Sequence, residues 1–283
     1  MGIVPEEKCV VVNADDLGFS RGISQGILHA HRNGIVTSAS LVANMPASEE
    51  AARVFGDIDS IGLGVHLNIA QGAPLSKEGR ALADEGGRMN YTAAGSLFNC
   101  LVHPRLLSAI EAEYDCQIRW VLDHGIRPDH LDSHRHAHAF RPIMRATVRL
   151  AKKYGIQHVR WPREALPGWG WPVTRFKGRI VSKILSGMSL ISALGEPSLR
   201  STHGTWGIAH TGRIDAAWLL RAAEALRPGV TEIMTHPGFP NDLEGFSTRL
   251  IESRKAELEA LCDPQVRESF SQHQIRLIPY GQI

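Results

Sequence analysis

Segments patterned as strands alternate with segments patterned as helices along the whole chain, and this alternation limits the fold more than any other feature. Apolar runs rich in β-branched and small residues are predicted as strands at 9–13, 35–43, 61–68, 129–132, 157–161, 229–236 and 275–279. The stretches between them are predicted as helices at 20–31, 47–55, 104–124, 142–154, 173–194, 214–226 and 247–261. Such an order is typical of a parallel sheet covered by helices. About seven strands, without a dinucleotide- or phosphate-binding glycine motif, favour an irregular (β/α) barrel over an open sheet.

The length of 283 residues fits one barrel domain spanning 1–283. Two stretches are predicted as insertions into it, near 69–103 and 162–205. The first loses regular periodicity and gathers glycine and proline, and the second opens with a patch rich in Trp, Pro and Gly. Long loops in a compact domain are usually functional or disordered. The second insertion also carries the mildly amphipathic 173–194 segment, in which basic and apolar residues are interleaved.

Composition excludes some classes of partner. The formal net charge is only +2 and the arginines are scattered, so no basic surface for nucleic acid is predicted. The four cysteines show no CxxC spacing and residues 1–8 are too polar for a signal peptide, which together predict a cytoplasmic location. No apolar run approaches the roughly 20 residues of a membrane span. Contact with a membrane surface stays open.

Polar residues that can bind metal or move protons follow four of the predicted strands. Asp15 and Asp16 end the first strand, His66 lies in the third, and His134 and His236 follow two later ones. Each has an ordinary interpretation, as a turn, a core histidine or a solvated loop. Because working residues of βα barrels gather at the carboxyl ends of strands, their joint occurrence instead predicts a metal or catalytic cluster.

Four motifs carry a resemblance to a known family. They are the segments 13–18 (NADDLG), 64–68 (GVHLN), 130–138 (HLDSHRHAH) and 235–238 (THPG), and residues 33–40 continue the first. Together they resemble the YdjC-like carbohydrate deacetylases, which include chitooligosaccharide deacetylases and a subgroup associated with hopanoid biosynthesis. The resemblance implies an irregular (β/α) barrel of the polysaccharide-deacetylase type. It also implies Asp16, His66 and His134 as metal ligands, Asp15 as general base and His236 as catalytic histidine.

The resemblance further implies one divalent metal ion and an N-acetylated sugar as substrate, either an oligosaccharide or a glycolipid, giving acetate and an amino sugar. Two imidazoles and one carboxylate suit zinc by ligand preference, whereas the family brings in magnesium, so Mg and Zn both stay open. His136, His138 and Trp206 are candidate substrate contacts. The stretch from 162 to 202 departs from the family pattern, which puts the identity of the substrate in doubt and leaves the chemistry unaffected.

Two other functions remain open at this stage. A metal-dependent phosphoesterase can use a similar barrel, although it usually needs more carboxylates or a second metal. A non-catalytic carbohydrate-binding protein could stack sugars on four of the six tryptophans, namely Trp161, Trp169, Trp171 and Trp206. The intact set of acids and histidines argues against loss of activity. A homodimer is plausible from the family, and no interface can be identified from the sequence.

Overall fold

The computed structural model describes residues 6–90, 104–164, 176–193, 200–246 and 248–283, with the backbone alone for 176–179 and 189–193. Parallel strands form one curled sheet in the order β5-β4-β3-β2-β1-β7-β6, and β8 pairs with the first residues of β1. The strands are β1 (Lys8–Leu17), β2 (Ser38–Leu41), β3 (Gly62–Leu67), β4 (His130–Ser133), β5 (His158–Val159), β6 (Gly204–Trp206), β7 (Gly229–Thr235) and β8 (Ile275–Leu277). A parallel backbone bridge between His158 and Arg200 links the β5 edge to the chain that leads into β6. The predicted α/β barrel of about seven strands is therefore confirmed.

Helices connect the strands and cover the outside of the sheet. They are α1 (Arg21–Asn33), α2 (Ser48–Gly56), α3 (Pro104–Asp123), α4 (Arg141–Tyr154), α5 (Phe176–Ala193), α6 (Ala216–Ala225), α7 (Glu252–Leu261) and α8 (Pro264–Gln272). Two of these strands and α-helices were not predicted from the sequence. β6 has three residues, too few to show a period of two. α8 begins with Asp263 as N-cap and Pro264 in its first turn. These two residues are a helix start signal, but no helix was predicted from them.

The two faces of the sheet differ in polarity. On β1, Val10, Val12 and Ala14 pack into the main hydrophobic core beneath the helices. Side chains at the alternate positions point into the barrel, where Asn13 donates to Ser40 Oγ over 2.7 Å. The buried polar side chains that meet in this interior are Asn13, Asp15, Ser40, His66, Asp132, Arg160 and Glu232. The helices thus supply the apolar core, and the barrel interior is free to hold charged groups at its carboxyl end.

Candidate active site

The end of β1 carries two adjacent carboxylates that serve the same site. Adjacent strand residues normally point to opposite faces. Asp16 instead adopts a left-handed backbone conformation (φ 68°), and the pairing of β1 with β2 shifts register between Ala14 and Leu17. This irregularity brings both acids to the barrel mouth, where each lies in a group with His66. A strained non-glycine residue of this kind is typical of a functional site.

Asp16, His66 and His134 come together from three different strand ends. One carboxylate oxygen, Asp16 Oδ1, lies 3.4 Å from His66 Nε2 and 2.9 Å from His134 Nδ1. The ligand atoms of all three residues lie within 4.8 Å of one another. Asp16 and His66 are buried, and His134 is half-buried. The three residues named as metal ligands from the sequence are therefore neighbours in space.

Asp132 orients His66 within this group. Its Oδ1 lies 2.8 Å from His66 Nδ1, which leaves Nε2 as the ring atom that faces Asp16. Burial disfavours the imidazolium, but the surrounding carboxylates, led by Asp132, outweigh burial and raise the pKa of His66 to about 10. A carboxylate behind a histidine is the usual way in which proteins fix the tautomer and direction of a metal-binding imidazole.

Arg160 holds three carboxylates inside the barrel. Its guanidinium contacts both oxygens of Asp15 at 2.7 Å, Asp132 Oδ2 at 2.7 Å and Glu232 Oε1 at 2.6 Å, and all four side chains are buried. Asp15, Asp132 and His66 form a second possible ligand group. Because Arg160 already pairs with both carboxylates of this second group, it is the poorer metal site.

The protonation state of Asp15 follows from Arg160. Burial alone would raise the pKa of this carboxyl, but the paired guanidinium outweighs burial and the nearby Asp132 and lowers it. Asn13 Nδ2 donates a further hydrogen bond to Asp15 Oδ1 over 2.8 Å. Asp15 is therefore an ionised, fixed carboxylate beside the histidine and acid cluster.

Arg254 forms an ion pair with the second carboxylate oxygen of Asp16. This buried arginine comes from α7 and contacts Asp16 Oδ2 at 2.5 Å, so only Oδ1 faces the two histidines. Burial raises the pKa of Asp16, but Arg254 and His134 together outweigh it and hold the pKa well below its usual range. Asp16 is thus ionised and monodentate toward the centre of the site.

His236 lies at the end of β7, where its backbone N–H donates to Glu257 Oε2 over 2.7 Å. Burial is the largest influence on the ring and lowers the pKa of His236 to about 4, although Asp15 and Asp16 favour the charged form. The Nδ1 atom is buried without a hydrogen-bond partner among the described residues. The resting ring is therefore neutral and keeps one nitrogen available.

The predicted substrate contacts differ in their surroundings. His138 is buried, and its ring nitrogens contact Ser133 Oγ (2.5 Å) and the Arg160 carbonyl (2.8 Å), which leaves neither nitrogen for a ligand. Trp206 is 5% exposed and packs in the hydrophobic core. His136 is half-buried with a left-handed backbone (φ 54°), and its buried Nδ1 has no hydrogen-bond partner among the described residues. Of the three, His136 has the surroundings best suited to a ligand contact.

Sequence reasoning missed Asp132, Arg160, Arg254 and Glu257. Asp132 stands inside a quoted motif, and Arg160 falls in the predicted 157–161 strand, so the rule that polar strand ends build the site would have found both. Arg254 and Glu257 lie on a helix with no comparable pattern. The alternative sugar-stacking residues Trp169 and Trp171 lie outside the described residues.

The family model for YdjC-like proteins matches residues 9–272. This chain belongs to the YdjC-like family. A carbohydrate deacetylase of Geobacillus stearothermophilus is 30% identical over 95% of this chain and 96% of that protein. A carbohydrate deacetylase of Halalkalibacterium halodurans is 38% identical over 52% of this chain and 61% of that protein.

A solved structure shows the same fold. It comes from Enterococcus faecalis V583 and is provisionally described as a cellobiose-phosphate cleavage protein. The match has a TM-score of 0.77 and 24% identity, and it covers 97% of this chain and 98% of the other. The YdjC-like barrel is thus shared over nearly the full length of both chains.

Proposed function

We propose that this chain is a metal-dependent carbohydrate deacetylase that hydrolyses the acetamide of an N-acetylated sugar. The observation that carries the proposal is the grouping of Asp16, His66 and His134 beside the ionised Asp15. The relatives named carbohydrate deacetylase support the reaction class. An oligosaccharide or a glycolipid both remain candidate substrates.

The chemistry of the residues fits a divalent cation. Two imidazoles and one carboxylate are a common donor set for a catalytic metal site, which keeps positions open for water and substrate. Asp16 Oδ1 lies 2.9 Å and 3.4 Å from the two ring nitrogens, close to the separations expected for atoms that share one ion at about 2 Å. A cation bound there would polarise the acetyl carbonyl and lower the pKa of water.

The remaining residues have distinct proposed roles. Asp15, held ionised by Arg160, accepts a proton from the attacking water. His236 donates a proton to the amine nitrogen as the C–N bond breaks, so that acetate and an amino sugar leave. Since the pKa of His236 is lowered to about 4, the ring is neutral at rest, and the proton that it donates is the one that the attacking water gives up through Asp15.

An acetate-release assay tests the reaction. The purified chain is stripped with a chelator, supplied with Mg²⁺ or Zn²⁺, and assayed for acetate and phosphate release on N-acetylated and phosphorylated sugars. We expect metal-dependent release of acetate alone. Release of phosphate would favour a phosphoesterase, and sugar binding without turnover in the presence of metal would favour a non-catalytic protein.

Three variants separate the proposed roles. Asp15→Asn is expected to lower kcat by about 10³-fold or more while metal content is unchanged, since it removes only the base. His66→Ala is expected to lose metal and activity together. The matched control is His124→Ala, which removes an exposed imidazole at the end of α3. Full acetate release by Asp15→Asn would contradict its role as the base.

A further inference from the structure

One helix turns its apolar side toward solvent. On α5, Ile180, Val181 and Ile184 are 41%, 50% and 55% exposed. Their spacing of one and four residues places them within one arc of about 100° on the helix surface. The other large apolar side chains with comparable exposure in the described residues, Val54, Leu75 and Ile251, lie in separate elements. The three residues of α5 define what we call the apolar face.

The opposite side of α5 is polar and fixed to the barrel. Ser182 Oγ donates to Glu164 Oε2 over 2.5 Å, and Glu164 N–H donates to Ser186 Oγ over 3.0 Å. The same carboxylate accepts from the backbone N–H groups of Gly207 and Ala209. A helix on a water-facing surface normally shows the reverse arrangement. The hydrogen bonds of Glu164 therefore hold the apolar face outward.

The charged residues in the sequence stretch that contains α5 have one sign. Residues 165–195 contain Arg175, Lys177, Arg179 and Lys183 and no aspartate or glutamate. Lys183 is exposed and adjoins Ile184 along the chain. Exposed aliphatic side chains among cations are the signature of a helix that lies in the interface of an anionic bilayer. None of the helices within the described ranges is long and apolar enough to cross a bilayer.

The helix α5, which carries the apolar face, is close to the candidate active site. α5 packs beside the segment 134–139, which carries His134, and beside α4. A surface covering α5 would therefore lie next to the barrel mouth where the acids and histidines meet.

We propose that the apolar face of α5 docks on an anionic lipid bilayer and places the site mouth beside the membrane surface. This inference concerns location and does not depend on the proposed deacetylation. A second copy of the chain is the competing occupant. A symmetric pair formed through the apolar face would bring the Lys183 side chains of the two copies together, whereas anionic headgroups neutralise this charge. Three aliphatic side chains are also a small part of the roughly 800 Å² that each partner buries in a stable dimer.

Vesicle flotation with the full chain tests the inference. Vesicles of phosphatidylcholine alone are compared with vesicles that also contain phosphatidylglycerol. We expect binding to the anionic vesicles only, and weaker binding at high salt. Ile184→Glu should lower the partition coefficient between anionic vesicles and water about tenfold. The change removes one aliphatic side chain that would be buried in the bilayer and adds a negative charge. Val54→Glu, at an exposed apolar position of α2, is the matched control and should bind like the wild type.

Lys183→Glu tests the electrostatic part and should lower binding to anionic vesicles at least fivefold, since it reverses one charge near the surface. Its matched control is Lys255→Glu, at an exposed position of α7. Acetate release from a soluble sugar should be unchanged in all four variants, which separates this test from that of the proposed function. Equal vesicle binding by wild type and Ile184→Glu, or no binding by the wild type, would overturn the proposal. The proposal would also be overturned if the wild type is a dimer in solution and Ile184→Glu is a monomer, because a second copy would then cover the apolar face.

Discussion

Asp15 shows how one buried arginine sets the chemistry of a single residue. Burial pushes the pKa of this carboxyl upward, and the two contacts at 2.7 Å with Arg160 more than reverse that effect. The same guanidinium also serves Asp132 and Glu232. The ionisation of the proposed base is therefore a property of a four-residue cluster of charged groups, and it depends on the planar fork of arginine.

Arg160→Lys tests this dependence. A lysine keeps the positive charge but cannot make the two-pronged contact with Asp15 together with the contacts to Asp132 and Glu232, so Asp15 loses part of its stabilisation and its pKa rises. The carboxylate is active only above its pKa, so the acid limb of the kcat/KM profile should move to higher pH, by about one unit. The measurement is acetate release against pH. Arg119→Lys, at an exposed pair with Asp115, is the control and should leave the profile in place.

At the scale of elements, α1 and the segment that follows β7 are in very close contact. A Cβ atom on Gly26 of α1 would lie 2.4 Å from Gly238 Cα, two residues beyond His236. Only glycine permits this approach. The position of the catalytic histidine proposed here therefore depends on helix packing as well as on the strand that carries it.

Gly26→Ala is expected to lower the free energy of unfolding by about 1–3 kcal/mol, because the helix and the His236 segment must move apart. Gly187→Ala is the matched control. Gly187 is also helical, a Cβ atom added there would meet no other atom within 4 Å, and the variant should gain about 1 kcal/mol. Urea unfolding measures both variants. Equal stability of the two variants would show that the close contact does not matter.

Glu257 joins three elements through one buried carboxylate. It stands on α7 and accepts N–H groups from His236, after β7, and from Gly212. Burial raises the pKa of Glu257 to about 7, against these hydrogen bonds and the nearby Arg254. Because the folded protein holds this proton more tightly than the unfolded chain, Glu257 favours folding below pH 4.5, and this contribution is lost as pH rises through 7.

Glu257→Gln removes this titration. Relative to the variant, the wild type should lose about 3 kcal/mol of stability between pH 4 and pH 8, which is the shift of the pKa converted to free energy. Urea unfolding of both proteins at several pH values measures the difference. Glu259→Gln, at an exposed position on the same helix, should follow the wild type at every pH. If the free energy of unfolding of Glu257→Gln changes with pH in the same way as that of the wild type, Glu257 does not titrate in this range.

At the scale of the whole molecule, the candidate centre joins distant parts of the chain. His134 and Asp16 are separated by 118 residues, and Arg254 and Asp16 by 238. An ion that binds only the folded arrangement stabilises the entire fold by mass action.

Metal addition to the chelated protein should therefore raise Tm. At a metal concentration of about 100 Kd, the expected gain is about 2.7 kcal/mol, or roughly 5 °C. Differential scanning calorimetry with Mg²⁺ and with Zn²⁺ measures it and ranks the two metals. His66→Ala should show no gain, whereas His124→Ala should respond like the wild type. A similar rise in Tm for His66→Ala would place the ion elsewhere.

The sequence by itself determined the barrel and the strand ends that build the site. The alternation of strand and helix periodicities is a local property, so it can be found in the sequence. The carboxyl ends of parallel strands must lie at one edge of the sheet, and Asp16, His66 and His134 could therefore be expected to meet. Their meeting at Asp16 Oδ1 agrees with that expectation. The strand β6 was not predicted, because its three residues are too few to show a periodic pattern.

Only the tertiary structure decided which charges surround the site. The left-handed turn at Asp16 directs two adjacent acids to one site, and Arg160, Arg254 and Glu257 reach it from strands and helices remote along the chain. The outward direction of the apolar face was equally undetermined, because Glu164 fixes it by hydrogen bonds across a loop. Such contacts depend on three-dimensional packing, and no local periodicity encodes them.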